Sequence, residues 1–160
     1  MWFSVEPAGI DYLQRSPFQF RNEALLNAPS DRVFDVLVED RDAKIWFKDF
    51  VACRFTSPPP HGVGSTRDIE LKMLTVKERF LVYEPGKRLA FCIYASTLPI
   101  VSEMAEDMVL TPEGENRTRF TWTVHYTPKR LLMPLHGPIR KVFGGMFSET
   151  KERLARYLEG

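Results

Sequence analysis

The residues that could carry chemistry are few, and most are poorly placed for it. His61, His125 and His136 lie far apart, with no HExxH and no Cys/His pair at ligand spacing, so no metal centre is expected. GxSxG, P-loop and GxGxxG signatures are absent. Cys53 and Cys92 show no CxxC spacing, and each falls in an apolar run where a reduced, buried thiol is the ordinary reading. No catalytic set is assigned, and no cofactor is expected.

Four polar residues stand out because they share a strand phase with apolar ones. Arg67 alternates in step with Ile69 and Leu71, and Glu78 with Val76, Phe80 and Val82. A turn at Met73-Leu74 would set Ile69 opposite Glu78 and Arg67 opposite Phe80. Arg67 and Glu78 would then be diagonal neighbours on one face. An inward ion pair is costly. It has a purpose if Arg67 holds the carboxylate or carbonyl of a ligand and Glu78 offsets its charge when the site is empty. A purely structural pair is the competing account. Glu106 keeps phase with Met104, Met108 and Leu110, and Tyr126 with Trp122 and Val124. Either could offer a proton or a hydrogen bond inside a cavity. Asp107 and His125 take the opposite phase, toward the outside.

These residues need elements to position them. From Pro17 a two-residue period begins, with Phe18, Phe20, Ala24 and Leu26 on one face and Asn22 interrupting it. Pro29 and Asp31 open a short amphipathic helix through Val33, Phe34 and Leu37, and a second short helix or turn ends on Trp46. Strands follow from Phe50 to Thr56, around Arg67–Leu71, around Val76–Val82, from Leu89 to Ala95, from Met104 to Leu110 and from Arg119 to Tyr126. Glu84-Pro85-Gly86-Lys87 and Pro112 to Asn116 are turns, and Pro58 to Gly64 is a shaped loop. After Thr127 the period changes: Ile139, Val142, Phe143, Met146, Phe147, Leu154 and Leu158 follow helical spacing. Gly144-Gly145 in that helix suggests close approach, a bend or space left open. The fold class is therefore α+β. A curved antiparallel sheet of six or seven strands wraps a long C-terminal helix that begins near Pro134 to Pro138, with two short helices after the first strand.

The chain has 160 residues, 22 basic and 21 acidic mixed along its length, and a formal charge of +1, with no basic stripe or acidic tail expected. One domain is expected over residues 17–160, preceded by an extension over 1–16 that is either packed on the domain or loosely held. The looser arrangement is the expectation. Nucleic acid, strong electrostatic membrane binding and integral membrane association are not expected. The first residues lack a signal-peptide pattern, and a cytoplasmic location is the default expectation.

The order of these elements, with Ala28-Pro29-Ser30-Asp31-Arg32-Val33-Phe34-Asp35-Val36-Leu37, Trp46, Gly62-Val63-Gly64-Ser65-Thr66-Arg67, Val76-Lys77-Glu78-Arg79-Phe80, Glu84-Pro85 and Thr118-Arg119-Phe120-Thr121-Trp122, resembles the SRPBCC superfamily. These are START-like or helix-grip proteins, and the chain looks like their polyketide cyclase/dehydrase and lipid-transport family over roughly residues 17 to 159. The resemblance implies a cavity between sheet and helix, with the Pro58 to Gly64 loop near its mouth as a gate. A typical small-molecule pocket would measure about 300 to 1,000 Å³. The expected ligand-binding residues are Arg67, Glu78, Phe80, Met104, Glu106, Met108, Trp122, Tyr126, Phe143, Met146 and Phe147.

The resemblance leaves three functions open. One is the binding or transport of a small apolar ligand, a lipid or polyketide-like molecule with an acidic or carbonyl end. Another is a cyclase or dehydratase using the same cavity. The third is a co-chaperone-like module that binds a partner. Ligand binding is the leading expectation, because no nucleophile–base pair is visible. The ligand's identity and the oligomeric state are not readable from the sequence.

Overall fold

Alternation in the sequence becomes one continuous antiparallel sheet in the computed structural model, which describes residues 1–159. In chain order the elements are β1 (Phe3–Ser4), α1 (Tyr12–Arg15), β2 (Phe18–Leu26), α2 (Ser30–Val38), α3 (Ala43–Trp46), β3 (Phe50–Phe55) and β4 (Thr66–Leu71). Next come β5 (Thr75–Glu84), β6 (Arg88–Ser96), β7 (Val101–Pro112), β8 (Thr118–Pro128), a 3₁₀ helix (Arg130–Leu135) and α4 (His136–Glu159). Seven strands form the path β2-β8-β7-β6-β5-β4-β3, and β1 joins as an eighth by pairing with β6. Consecutive strands from β3 to β8 are neighbours, joined by short turns except for the longer loop over residues 56–65 between β3 and β4. β2 must reach across to pair with β8, and β1 to pair with β6.

The sheet curls round α4. Its concave face supplies Leu26, Phe80, Phe91, Phe120, Trp122 and Val124, and the helix supplies Met146, Phe147, Leu154 and Leu158, all buried in one cluster. Each such side chain contributes about 1.5 to 3 kcal/mol by leaving water. The second half of α4 is therefore the anchored half. The stripe expected on α4 holds except at Val142, which is 58% exposed. Thr150, fully buried on α4, accepts a hydrogen bond from the Lys48 backbone N–H at 3.2 Å and pins the α3–β3 connection to the helix. Gly144 is a close-approach site: a Cβ there would stand 3.0 Å from the Phe20 ring, whereas one at Gly145 would meet nothing. The turn at Glu84–Lys87 needs its glycine, because Gly86 has φ +75° and its missing Cβ would collide with Asp31 at the start of α2.

The N-terminal residues are built into the sheet, where a loosely held extension was expected. β6 and β7 pair only from Arg88–Val109 to Cys92–Ala105. Beyond that they splay, and the N-terminal arm fills the gap: Phe3 lies opposite Ser96, Val5 N–H donates to Tyr94 O at 3.1 Å, and Glu6 N–H donates to Ser102 O at 2.9 Å. The arm thus satisfies backbone groups that the splay would leave open. It then lays Ala8, Tyr12 and Leu13 over Val82, Ala90, Cys92 and Ala105 on the convex face. The Tyr12 hydroxyl shares a 2.8 Å hydrogen bond with Thr127, and burial raises its pKa to about 12. His125 does face the convex side, as its phase predicts, but it is not in solvent. The arm covers it, Ser16 Oγ lies 2.8 Å from its Nδ1, and burial lowers its pKa.

Candidate functional site

Two voids lie between the sheet and the helices. The larger, about 100 Å³, is walled by Ile69, Leu71, Val76, Ile93, Val124, Met104, Phe143, Met146 and Phe147, among others. The smaller, about 40 Å³, is walled by Leu37, Trp46, Cys53, Arg67, Phe91 and Met108, among others. Phe47, Ile69, Glu78 and Glu106 line both. The two carboxyl groups therefore sit at the partition, with an apolar chamber on one side and a guanidinium on the other.

Arg67 and Glu78 are brought together more directly than the sequence suggests. The β4–β5 turn is centred on the exposed Lys72 and Met73, closed by Leu71 N–H donating to Leu74 O at 2.8 Å. That shifts the register by two residues from a Met73-Leu74 turn. Arg67 now lies opposite Glu78, and Ile69 opposite Val76. A two-residue shift preserves the face, which is why the phase argument survives. Arg67 Nε donates to Glu78 Oε2 at 2.7 Å, with both side chains almost fully buried. Its Nη1 donates to the carbonyls of Leu37 and Val38, at 3.4 and 3.3 Å. Those are end carbonyls of α2, left without intrahelical donors, so a buried cation suits them. The guanidinium also lies 5.0 Å from the Phe80 ring centre and 5.5 Å from that of Phe91. Nη2 makes no hydrogen bond among the described residues.

The electrostatics follow from burial. Burial opposes the Arg67 charge, but Glu78 and its other neighbours outweigh that and raise its pKa, so it stays a cation. Burial also pushes the Glu78 carboxyl up, against the pull of Arg67. We assign the negative charge to Glu78, since it is the carboxyl in contact with a permanent cation. Glu106 is different. Burial, and then the charge of Glu78, raise its pKa to about 8, against the hydrogen bond from Trp122 and the attraction of Arg67. Below about pH 8 its protonated form is favoured. Trp122 Nε1 donates to its Oε1 at 2.8 Å, and its other oxygen has no hydrogen-bond partner among the described residues.

The remaining expected residues sort by place. Glu78, Met104, Glu106, Tyr126, Phe143, Met146 and Phe147 line the larger void. Arg67 and Met108 line the smaller one. Trp122 and Phe80 line neither. Trp122 is wedged edge-on against Phe147 at 5.2 Å behind Glu106, and Phe80 is packed under Arg67. Val82 leaves the inward phase of Glu78 and Phe80, because a register shift between Phe80 and Val82 turns it to the convex face. The Pro58 to Gly64 loop lines neither void, so it is no gate; His61 stacks on Phe55, with ring centres 3.8 Å apart. The half-exposed Leu74, Leu98, Ile100, Ile139 and Phe143 mark the open end instead.

That end carries residues the sequence reading passed over. Arg140 Nη1 donates to the Tyr126 hydroxyl at 2.5 Å, and His136 Nε2 lies 2.8 Å from the same oxygen. The signal was available: His136, Arg140, Phe143 and Phe147 share one helical stripe, and an arginine on an apolar stripe is unusual. Among the described residues no cluster of metal-ligating side chains is formed, and no helix is long and apolar enough to cross a membrane.

A curved sheet gripping one helix around a partly polar void is a recurrent arrangement, and comparison with known proteins places it. The family model for polyketide cyclase/dehydrase and lipid transport matches residues 17–159. The chain belongs to that family. An uncharacterized protein of Mycobacterium tuberculosis is 30% identical over 98% of this chain and 91% of its own length. Two similar structures illustrate the spread of this polyketide cyclase/dehydrase and lipid transport fold. A START superfamily protein from Mycobacterium smegmatis has a TM-score of 0.68 at 12% identity, covering 88% of this chain and 97% of its own. The Zhui aromatase/cyclase from Streptomyces sp. R1128 has a TM-score of 0.63 at 15% identity, covering 88% and 95%. At these identities the likeness concerns the fold.

Proposed function

We propose that the protein binds and carries a small, mainly apolar molecule with a carbonyl or carboxylic end. The observation that carries this reading is the partition: an apolar chamber ends on a protonated acid, Glu106, backed by a buried cation, Arg67. Glu106 would donate to a ligand oxygen, and the free edge of Arg67 would supply charge to an acidic one. Met104, Met146 and Phe143 would adapt to the apolar body. As it stands, the chamber of about 100 Å³ is smaller than the roughly 150 Å³ cavity known to admit benzene, and below the expected pocket range. Loading therefore requires the half-exposed end around Leu98, Ile139 and Phe143 to move outward. Native mass spectrometry of protein purified from its own host tests the reading. A retained small molecule that denaturation releases supports it; an empty protein that also takes up no fatty or aromatic acid in calorimetric titration refutes it.

One observation favours a second reading, a cyclase or dehydratase. A carboxylic acid with a pKa of about 8 is suited to polarising a ketone for enolisation. The candidate base, Glu78, is committed to Arg67 through Oε2, so the carrier reading leads. Turnover of a polyketide-like ketone that falls away as pH rises through about 8 would favour the enzyme.

A further inference from the structure

We propose that the segment from Lys129 to Val142 is a docking surface for anionic lipid bilayers, holding the open end of the chamber against the membrane. This runs against the expectation of no electrostatic membrane binding, which rested on the mixed overall charge. From Asn116 to Ser148 there is no aspartate or glutamate, although the chain as a whole is nearly neutral. Within that stretch Leu131 is 93% exposed, Val142 58%, Leu135 55% and Met133 44%. Large apolar side chains exposed so close together in sequence are a candidate interaction surface. Lys129, Arg130, Arg140 and Lys141 are interleaved with it, and none is in an ion pair among the described residues. Glu6 shares a shallow hollow with Lys129, Arg130 and Leu131 but pairs with neither base.

Exposed apolar side chains flanked mainly by cations, with Glu6 the one acidic residue lining that hollow, fit the boundary between acyl chains and anionic headgroups. Location adds a second argument. Lys129 N–H donates to Ile100 O at 2.9 Å, and Ile100 lines the chamber. Ile139, Arg140 and Phe143, on the same stretch of helix as Lys141 and Val142, line it too. The patch and the open end are therefore contiguous. Apolar cargo leaving there would enter hydrocarbon without crossing water. The surface itself needs no cargo, so the proposal stands or falls separately from the ligand reading.

Flotation with phosphatidylcholine vesicles, with and without phosphatidylserine, tests it. The wild-type protein should float with the phosphatidylserine vesicles and release as salt rises. Lys129→Ala with Lys141→Ala should weaken partitioning by about 25-fold, taking about fivefold for each basic residue at a membrane surface. Leu131→Ser with Met133→Ser should abolish flotation. These side chains stand clear of the core, and Leu131→Ser alone serves if the double variant melts early. Failure of the wild-type protein to float, or variants that float as well as it does, overturns the proposal. So does a wild-type dimer that Leu131→Ser with Met133→Ser converts to a monomer, which would give the surface to a second copy.

Discussion

The Trp122 indole N–H is aimed at Glu106 Oε1 from 2.8 Å, on the strand next to it and directly beside the partition between the two voids. That donor favours the charged carboxylate, but burial outweighs it. Burial then decides the protonation state, and Glu106 titrates at about 8.

Linkage makes that a stability statement. The folded-state pKa lies above the unfolded carboxylate value, so the folded form binds the proton more tightly. Stability from this group is complete below about pH 4.5 and is lost progressively up to about pH 8. Glu106→Gln keeps an acceptor for Trp122 and has no charge to desolvate. It should match the wild-type protein at pH 4 and exceed it at pH 7 by on the order of 3 kcal/mol. Urea unfolding across that range checks this; parallel profiles for the two proteins would contradict it.

The Arg67–Glu78 pair should behave as a unit. Arg67→Met leaves a carboxyl unpaired and the end of α2 without its donor, and should cost about 3 to 5 kcal/mol. Adding Glu78→Gln should recover much of that, because the uncompensated group is gone. In a stabilised background, Arg67→Met should weaken an acidic ligand by about 1.5 to 3 kcal/mol and a neutral analogue hardly at all. Equal losses would reduce Arg67 to a structural role.

The two adjacent glycines of α4 should respond differently. Gly145→Ala meets open space and should raise stability by about 0.5 to 1 kcal/mol through helix propensity. Gly144→Ala pushes on the Phe20 ring at 3.0 Å and should gain less or lose. Thermal melts of the two variants decide it, and identical shifts would mean that Phe20 yields freely.

The N-terminal arm should guard Cys92. Tyr12→Ala removes a fully buried ring from above Ala90, Cys92 and Ala105 and should cost about 3 to 5 kcal/mol. Modification of Cys92 by a thiol reagent should speed up in the same variant. An unchanged rate would show that the arm does not shield that face.

Period and punctuation were enough to place most elements of this fold. Alternation located the strands, a change of spacing after Thr127 located α4, and Glu84-Pro85-Gly86-Lys87 announced its turn, because side-chain direction repeats locally and needs no partner. The inward face of Arg67, Glu78 and Glu106 was legible for the same reason, since a slip of two residues leaves phase intact. What pairs with what was not legible. The register that sets Arg67 opposite Glu78 depends on where the chain turns, and Val82 was lost to a shift between it and Phe80. Tertiary structure alone could seat the arm in the splay between β6 and β7, since that gap depends on how far two strands distant from the arm in sequence stay paired. It alone set the size of the chamber, which is a small difference between the volume enclosed and the side chains that fill it. And it alone gave Glu106 its proton, because desolvation depends on everything packed around a group, not on its neighbours in sequence.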